Sequence, residues 1–304
     1  MSDNTTIGWL GLGKMGTPIC KRILATGQRL AVYDIDQQAY PAFETDGATP
    51  YADAGAMAGD VDVLMSMLPD DRALDAVAVA QEGPLHQLAE GGIFVDLSTV
   101  SPEASARVKT VCAERGLHYL RAPVSGSTAL AKDGKLTVLV SGPRSAYDRV
   151  LPVFEAFSAN QHYVGDDEQA RYLKLVINHL VGSTAVILGE ALTLGRAGGI
   201  DWDIMLDVLG VSVAASPLVK YKLEPLRNRD FTPAFSVSQM VKDMGLVEAA
   251  ADSLNASMPA ASLMAERFRS YAEVAPDQDF FGILLDIERK ASLGPLPERD
   301  STKS

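Results

Sequence analysis

Residues 7–16, IGWLGLGKMG, decide the fold of the first half of this chain. The apolar run Ile7–Leu10 is typical of a buried strand, and a helical pattern follows the glycines. Gly11 permits a tight turn, Gly13 lets a phosphate approach the backbone, and Gly16 lets helix pack closely on strand. The helix N-terminus then offers free N–H groups to an anion. The stretch therefore predicts a dinucleotide-binding turn, the alternative being a glycine-rich turn without a ligand. The residues expected to contact the dinucleotide here are Gly11, Leu12, Gly13, Met15 and Gly16.

Short apolar runs alternate with helical patterns as far as Gly165. The candidate strands are Ile7–Leu10, Leu30–Tyr33, Val61–Met67, Ile93–Asp96, His118–Leu120, Leu136–Ser141 and His162–Val164. Alternating strands and helices predict an α/β domain with a doubly wound, mostly parallel sheet of Rossmann type, over residues 1–166.

The pattern changes after Gly165. Residues 168–197 contain no proline and carry apolar residues at helical spacing, which predicts one long helix of about 45 Å that ends at Gly198-Gly199. Further helical patterns cover Trp202–Leu209, Phe235–Leu254, Pro259–Ala275 and Phe281–Ser292. We therefore expect an all-helical domain over 167–293 that handles substrate and oligomerisation, and a frayed tail over 294–304.

The end of the second strand indicates which dinucleotide binds. Asp34 follows Gly16 by 18 residues, where a carboxylate accepts hydrogen bonds from ribose hydroxyls and repels a 2′-phosphate. Residues 34–40 contain no Arg or Lys, so the sequence predicts NAD rather than NADP. Asp34 could instead be a turn or capping residue, although Asp36 is the better candidate for a helix cap.

Two later strand ends should border the same cleft, because ligands bind beyond the carboxyl ends of parallel strands. The first supplies Met67, Leu68 and Pro69 as candidate cofactor contacts. The second is DLSTVSP, residues 96–102, in which Ser101 is a candidate helix N-cap followed by proline. That leaves Ser98 and Thr99 to face a ligand.

Lys174 and Asn178 are four residues apart near the start of the long helix, which places both on one face. A surface Lys–Asn pair would be unremarkable, but Lys174 is flanked by apolar side chains from Tyr172 to Ile177. A partly desolvated amine is suited to proton transfer. Lys174 is therefore the candidate general acid and base.

Composition excludes several classes of protein. The formal net charge of −12 disfavours nucleic acid as a partner, which clustered Lys and Arg would have to bind. Cys20 and Cys112 form no C-x-x-C motif and are expected to be reduced thiols. The chain shows no signal peptide, no metal-binding motif and no run of about 20 uninterrupted apolar residues, so we expect a cytoplasmic protein without metal or membrane span.

With these motifs in order, the chain resembles the β-hydroxyacid dehydrogenase family, which includes 3-hydroxyisobutyrate dehydrogenase and tartronate semialdehyde reductase. The motifs that carry the resemblance are GLGKMG (11–16), DLSTVSP (96–102) with APVSG (122–126), KLVIN (174–178), and Phe235 with KDMGL (242–246). The resemblance spans about residues 7–290. It implies a two-domain oxidoreductase that transfers a hydride between NAD and a small 3-hydroxy acid or its semialdehyde, and a homo-oligomer, dimer or tetramer, that packs through the helical domain.

The resemblance also implies roles for individual residues. Lys174 would exchange the proton at the substrate oxygen, and Asn178 would help to hold the substrate. The substrate carboxylate would bind Ser125 and the N–H groups of Gly126 and Ser127. Thr99 would lie near the nicotinamide ribose, and Phe235 and Lys242 would contact the cofactor.

Four departures put the usual substrates in doubt. Ser127 stands where the family has a second glycine, and Ile177 where it has an asparagine. The glycine-rich turn before the catalytic helix is GDDEQAR, residues 165–171, and a common DFSA appears as DFFG, residues 279–282.

Three alternatives remain open. An imine reductase of the same superfamily would generally carry a different residue at the position of Lys174. A cofactor-binding scaffold without turnover would have no need of Ser125, Lys174 and Asn178 together. A 6-phosphogluconate-type decarboxylase would need phosphate-binding cations and a longer second domain.

Overall fold

The computed structural model describes residues 5–296 of the chain. The strands are β1 (Thr6–Leu10), β2 (Arg29–Tyr33), β3 (Thr49–Pro50), β4 (Val63–Ser66), β5 (Ile93–Asp96), β6 (His118–Arg121), β7 (Val124–Ser125), β8 (Leu136–Ser141) and β9 (Ser158–Gly165). The first helices are α1 (Gly16–Ala25), α2 (Tyr40–Thr45), α3 (Ala54–Gly59), α4 (Asp71–Ala78), α5 (Pro102–Glu114), α6 (Thr128–Lys132) and α7 (Arg144–Phe157). The later helices are α8 (Gln169–Ala197), α9 (Trp202–Val211), α10 (Pro217–Arg227), α11 (Val237–Ser253), α12 (Pro259–Ala272) and α13 (Ile283–Lys290).

The strands form one mostly parallel sheet, as the alternating pattern predicts. Its order begins β3-β2-β1-β4-β5-β6, and every neighbouring pair in that series is parallel. The carboxyl ends of these strands therefore meet at one edge of the sheet. The order reverses beside β1, which is where ligands bind in doubly wound sheets.

The far side of the sheet is mixed. β8 runs antiparallel to both β6 and β7 and parallel to β9. The chain therefore reverses direction after β7, through the short helix α6, before α7 and β9 lead into α8.

Side chains from the two faces of the sheet enter two separate cores. On β5, Ile93 and Val95 belong to one core and Phe94 belongs to the other. The strands are apolar on both faces because helices cover both, which is the arrangement of a doubly wound α/β domain.

The chain divides into two compact units, one up to Val176 and one from Ile177. The second unit is helical, and among its described residues the one strand-like pairing is an isolated bridge between Ser236 and Asp279. The predicted domain boundary after residue 166 lies before α8, whereas the division by contacts falls within that helix. Of the predicted tail 294–304, only residues 294–296 are among those described.

Helix α8 is long and apolar enough, by length and composition, to cross a membrane. About 44% of its most apolar window is buried within the structure. The long core helix of a soluble protein has the same properties, so the hydropathy of α8 is not evidence for a membrane span.

Candidate active site

The loops that follow the parallel strands lie side by side at the carboxyl edge of the sheet. Backbone hydrogen bonds continue the ladders past the strand ends, from Met67 N to the Leu10 oxygen at 2.9 Å and from Leu97 N to the Ser66 oxygen at 2.8 Å. These bonds hold the glycine turn and the two later loops in fixed register.

Two glycines of the first turn are required by the protein itself. Gly11 has a φ of +101°, and a Cβ there would lie 2.4 Å from the Met67 carbonyl oxygen. A Cβ at Gly16 would lie 2.0 Å from the Gly11 oxygen, which is also bound by the Trp9 indole N–H at 2.8 Å. The predicted tight turn and the close packing of helix on strand are therefore confirmed.

Gly13 differs from these two, because a Cβ there would meet no atom within 4 Å. It is exposed, and helix α1 begins three residues later with Met15 as an N-cap that makes no side-chain hydrogen bond. Glycine at this position thus leaves open space in front of a helix N-terminus. The turn fits a dinucleotide pyrophosphate. The phosphate would lie against Gly13 and accept hydrogen bonds from the N–H groups at the start of α1.

The Asp34 carboxylate lies directly against this turn. One oxygen accepts the Leu12 N–H at 2.5 Å and the other accepts the Asp36 N–H at 2.8 Å. Asp36 caps a short 3-10 helix by accepting the N–H of Gln38, as predicted for a capping residue. Asp34 is therefore fixed beside the glycine turn with its charge half-exposed.

The DLSTVSP loop is built around a buried hydrogen-bond network. Asp96 is fully buried and accepts the hydroxyls of Ser66 at 2.8 Å and Ser98 at 2.5 Å. The Ser98 oxygen in turn accepts the Leu68 N–H at 2.8 Å. The expectation that Ser98 faces a ligand is therefore wrong, because its hydroxyl fastens one loop to the other. Thr99 is half-buried, and Ser101 caps α5 as predicted.

The segment APVSG follows β6 at the same edge. Ser125 is half-buried, and Gly126 has a φ of +137° and contacts Leu136 so closely that a Cβ would lie 2.7 Å from its side chain. The Ser127 hydroxyl caps α6 by accepting the Leu130 N–H at 3.4 Å. Ser127, which departs from the family pattern, therefore stabilises the start of α6.

The first turn of α8 is held to the DLSTVSP loop by a residue that the sequence analysis did not single out. Arg171 is 1% exposed, and its guanidinium contacts the Asp96 carboxylate at 2.5 Å and the Ser98 carbonyl at 2.6 Å. Lys174 follows three residues later and is half-buried. The sequence signal that could have predicted a buried cation here is Asp96, since a carboxylate at the end of a buried strand requires a partner.

The predicted residues of the helical unit make contacts within that unit. Asn178 is buried, and its amide donates to the Asp243 carboxylate at 2.6 Å. Lys242 lies 3.1 Å from the same carboxylate, and the Phe235 ring packs edge-on against Phe280. Asp243 thus contacts two of the predicted site residues, Asn178 and Lys242, although the motif KDMGL that contains it gives no indication of this role.

No group of three or more His, Cys, Asp or Glu side chains within residues 5–296 is arranged to hold a metal ion.

Two family models cover most of the chain. Residues 6–165 match the model described as the NAD binding domain of 6-phosphogluconate dehydrogenase. Residues 169–285 match the model described as NAD-binding of NADP-dependent 3-hydroxyisobutyrate dehydrogenase.

Individual proteins are similar over nearly the whole length. An NAD-dependent L-serine dehydrogenase of Pseudomonas aeruginosa is 32% identical over 86% of this chain and 91% of that protein. The structure of Mycobacterium tuberculosis 3-hydroxyisobutyrate dehydrogenase with L-serine superposes with a TM-score of 0.85 at 25% identity, over 93% of this chain and 99% of that one. The cytokine-like nuclear factor N-PAC of Homo sapiens is 28% identical over 86% of this chain, which spans 48% of that longer protein.

Proposed function

This chain belongs to the β-hydroxyacid dehydrogenase family, and from that premise we propose that Lys174 is its general acid and base. The chain is an NAD-linked oxidoreductase of hydroxy acids, with a Rossmann-type domain and a helical C-terminal region.

One observation carries the assignment of Lys174. Arg171 fastens the first turn of α8 to Asp96 and Ser98, at the carboxyl end of β5. Lys174 lies one helical turn further along, at about 1.5 Å of rise per residue. The amine is therefore carried by the part of α8 that is anchored at the cofactor edge of the sheet.

The cofactor supplies the hydride acceptor or donor when it is bound. In oxidation, the Lys174 amine takes the hydroxyl proton of the substrate, and in reduction the protonated amine returns it to the carbonyl oxygen. Ser125 and the N–H groups of Gly126 and Ser127 hold the substrate carboxylate. Asn178 helps to hold the substrate, and its amide nitrogen also donates to the Asp243 carboxylate at 2.6 Å.

The substrate class is a small 3-hydroxy acid or the matching semialdehyde, and the cofactor is NAD in preference to NADP. Met67, Leu68, Pro69 and Thr99 contact the dinucleotide beyond β4 and β5, and Asp34 binds its ribose hydroxyls. Phe235 and Lys242 of the helical domain contact it as well. In this proposal, residues 1–166 form the dinucleotide-binding domain and residues 167–293 form the helical domain for substrate and oligomerisation.

The test is turnover of Lys174→Ala against a panel of small 3- and 4-hydroxy acids and the corresponding aldehydes. We expect kcat to fall by about 10²–10⁴-fold, the usual contribution of a positioned acid–base group, while NADH binding measured by fluorescence is retained. Lys21→Ala, which removes an exposed ion pair with Asp46, is the matched control and should keep wild-type turnover. Near-normal turnover of Lys174→Ala would overturn the assignment.

The same panel, extended by cyclic imines, separates the alternatives. A scaffold would bind NADH and turn over none of the compounds. This outcome is worth testing because one similar protein, N-PAC, is named as a nuclear factor and not as a dehydrogenase. An imine reductase would reduce cyclic imines while leaving the hydroxy acids unchanged.

We propose in addition that the protein is a homo-oligomer, a dimer or tetramer, in the cytoplasm. Helices α8 and α9 carry exposed apolar residues along one side each, which supports assembly through the helical domain.

A further inference from the structure

We propose that Arg171 is a positioning residue that fixes the direction of the Lys174 side chain. This inference rests on the proposed function, because it assumes that Lys174 performs the proton transfer. A catalytic lysine needs more than its own amine, because α8 must also be prevented from rotating about its axis relative to the strand ends that border the cofactor.

Arg171 contacts four residues of the first unit, which lie on the DLSTVSP loop, on β6 and on α5. Its guanidinium contacts Asp96 at 2.5 Å, the Ser98 carbonyl at 2.6 Å, the Tyr119 hydroxyl at 3.0 Å and the Ser105 hydroxyl at 3.4 Å. Five N–H donors in a rigid plane can satisfy such a set only in one orientation. The side chain therefore fixes both the position of the first turn of α8 and its rotation about the helix axis.

Asp96 extends this coupling to the loops where the cofactor contacts are proposed. The carboxylate oxygen that does not bind Arg171 accepts the hydroxyls of Ser66 and Ser98, and Ser98 holds the Leu68 N–H. The loop after β4, the loop after β5 and the start of α8 thus form one hydrogen-bonded unit. A shift in any of them is transmitted to the others.

A second set of contacts holds the same turn. Arg121, at the end of β6 and 2% exposed, forms an ion pair with Glu168, immediately before α8. The Ser141 hydroxyl donates to the Asp167 carbonyl at 2.5 Å and accepts the Ala170 N–H at 3.2 Å. Asp167, Glu168 and Ala170 lie in the turn 165–171, where this chain departs from a glycine-rich pattern. Here an ion pair and hydroxyl hydrogen bonds from the neighbouring strands hold the start of the helix.

Arg171 remains charged throughout the working pH range. Burial disfavours its charge, but Tyr119 and Asp96 outweigh burial, so that the pKa of Arg171 is raised above its ordinary value. The anchor therefore does not itself titrate, and any change in a pH profile on substitution reports on another group.

Lys174 lies three residues after Arg171, on a neighbouring part of the helix surface. Rotation of α8 would carry the amine away from the substrate oxygen, and a displacement of about 1 Å can cost about 10²-fold in rate. Loss of the Arg171 anchor should therefore lower kcat without a comparable change in binding.

The test compares Arg171→Met and Arg171→Lys with the wild-type protein, each assayed well below its melting temperature. Turnover is expressed per NADH-binding site, so that unfolded protein does not count. We expect kcat of Arg171→Met to fall by at least about tenfold, with KM for the hydroxy acid changed by less than about threefold. Arg171→Lys should recover part of kcat, because an ammonium can bind Asp96 or the Ser98 carbonyl but lacks the planar fork.

The control variant is Arg229→Met, which breaks an ion pair with Glu288 within the helical unit. It should lower stability while leaving kcat per site unchanged. If Arg171→Met fails to fold, Tyr119→Phe removes the 3.0 Å hydrogen bond to Arg171 while preserving volume, and a measurable loss of kcat per site is expected.

The two proposals fail in distinguishable ways. If kcat per site is unchanged in Arg171→Met, or in Tyr119→Phe where the methionine variant does not fold, the positioning role is wrong even when Lys174→Ala is inactive. If Lys174→Ala retains turnover, the proposed function fails, and the premise of the positioning role fails with it. A shifted pH profile of kcat in both Arg171→Met and Arg171→Lys supports repositioning of the titrating group, because Arg171→Lys preserves the positive charge and loss of folded protein alone would leave the profile unchanged.

Discussion

At the scale of single residues, the Asp34 carboxylate is the feature that should set cofactor preference. It is fixed by the N–H groups of Leu12 and Asp36, so its charge cannot turn away from an incoming 2′-phosphate. Neutral Asp34→Ser should weaken NAD binding and narrow the preference for NAD over NADP. The measurement is kcat/KM for both cofactors at saturating substrate.

Asp36→Ser is the matched control, since Asp36 caps a 3-10 helix and serine can also cap. An unchanged cofactor ratio in Asp34→Ser would remove Asp34 from the ribose site. Equal effects of the two substitutions would indicate a general loss of charge rather than a specific contact.

Residues with local causes were predictable from the sequence, and residues with distant partners were not. Gly16 and Ser101 owe their identities to a close approach to Gly11 and to a helix cap, both within a few residues, and the positive φ of Gly11 belongs to a local turn. Arg171 and Asp96 are separated by 75 positions, and nothing beside either residue indicates the other. Ser98 was misassigned because one of its partners, Leu68, lies on another loop, although the other, Asp96, is only two residues away.

At the scale of elements, the buried strands were predictable because their apolar runs are continuous. The strands that were missed, β3 and β7, have two residues each, too few for any periodicity. The helix α10 was missed because it contains an interior proline, Pro225, which usually ends a helical pattern. The long helix α8 begins one residue after the predicted start and ends at the predicted Ala197.

The last turn of α12 carries a buried tyrosine that should make stability depend on alkaline pH. Burial, with a contribution from the charge of Asp286, raises the pKa of Tyr271 from 10.0 to about 12. Between those pH values the unfolded chain loses a proton that the folded protein retains, so stability is fully present below pH 10 and declines as pH rises toward 12. We expect the melting temperature to fall over this range.

Tyr271→Phe should flatten this decline, because it removes one of the groups responsible. It should also lower stability at every pH by about 1 kcal/mol, since the hydroxyl donates to Gln278 at 2.7 Å. Burial likewise raises the pKa of Tyr119 and that of Cys112 to about 12, so part of the slope should persist in the variant. Identical slopes in wild type and Tyr271→Phe would show that Tyr271 does not contribute.

At the scale of the whole molecule, two helices of the second unit leave apolar side chains in water. On α8, Leu180, Ile187 and Leu194 are spaced by seven residues, and they are 63%, 58% and 75% exposed. On α9, Ile204 and Val208 are 60% and 61% exposed. Residues at these spacings share one face of a helix.

The two helices that carry these faces touch each other. A Cβ at Gly195 of α8 would lie 2.2 Å from the sulfur of Met205 on α9, and these two residues directly follow Leu194 and Ile204 in the sequence. Apolar side chains exposed in this way are typical of a surface that a second copy of the chain covers, because closed symmetric pairing removes both copies of the surface from water at once.

Introducing a charge into this surface should therefore separate the subunits. We expect Ile204→Glu to shift the protein to a smaller species in sedimentation equilibrium, because a carboxylate would be desolvated in each copy of the interface without a partner. Leu254→Glu, at a position that is 59% exposed on neither of these helices, is the matched control and should leave the mass unchanged. A wild-type protein that sediments as a monomer at micromolar concentration would contradict the proposed oligomer, and equal dissociation by both substitutions would place the interface elsewhere.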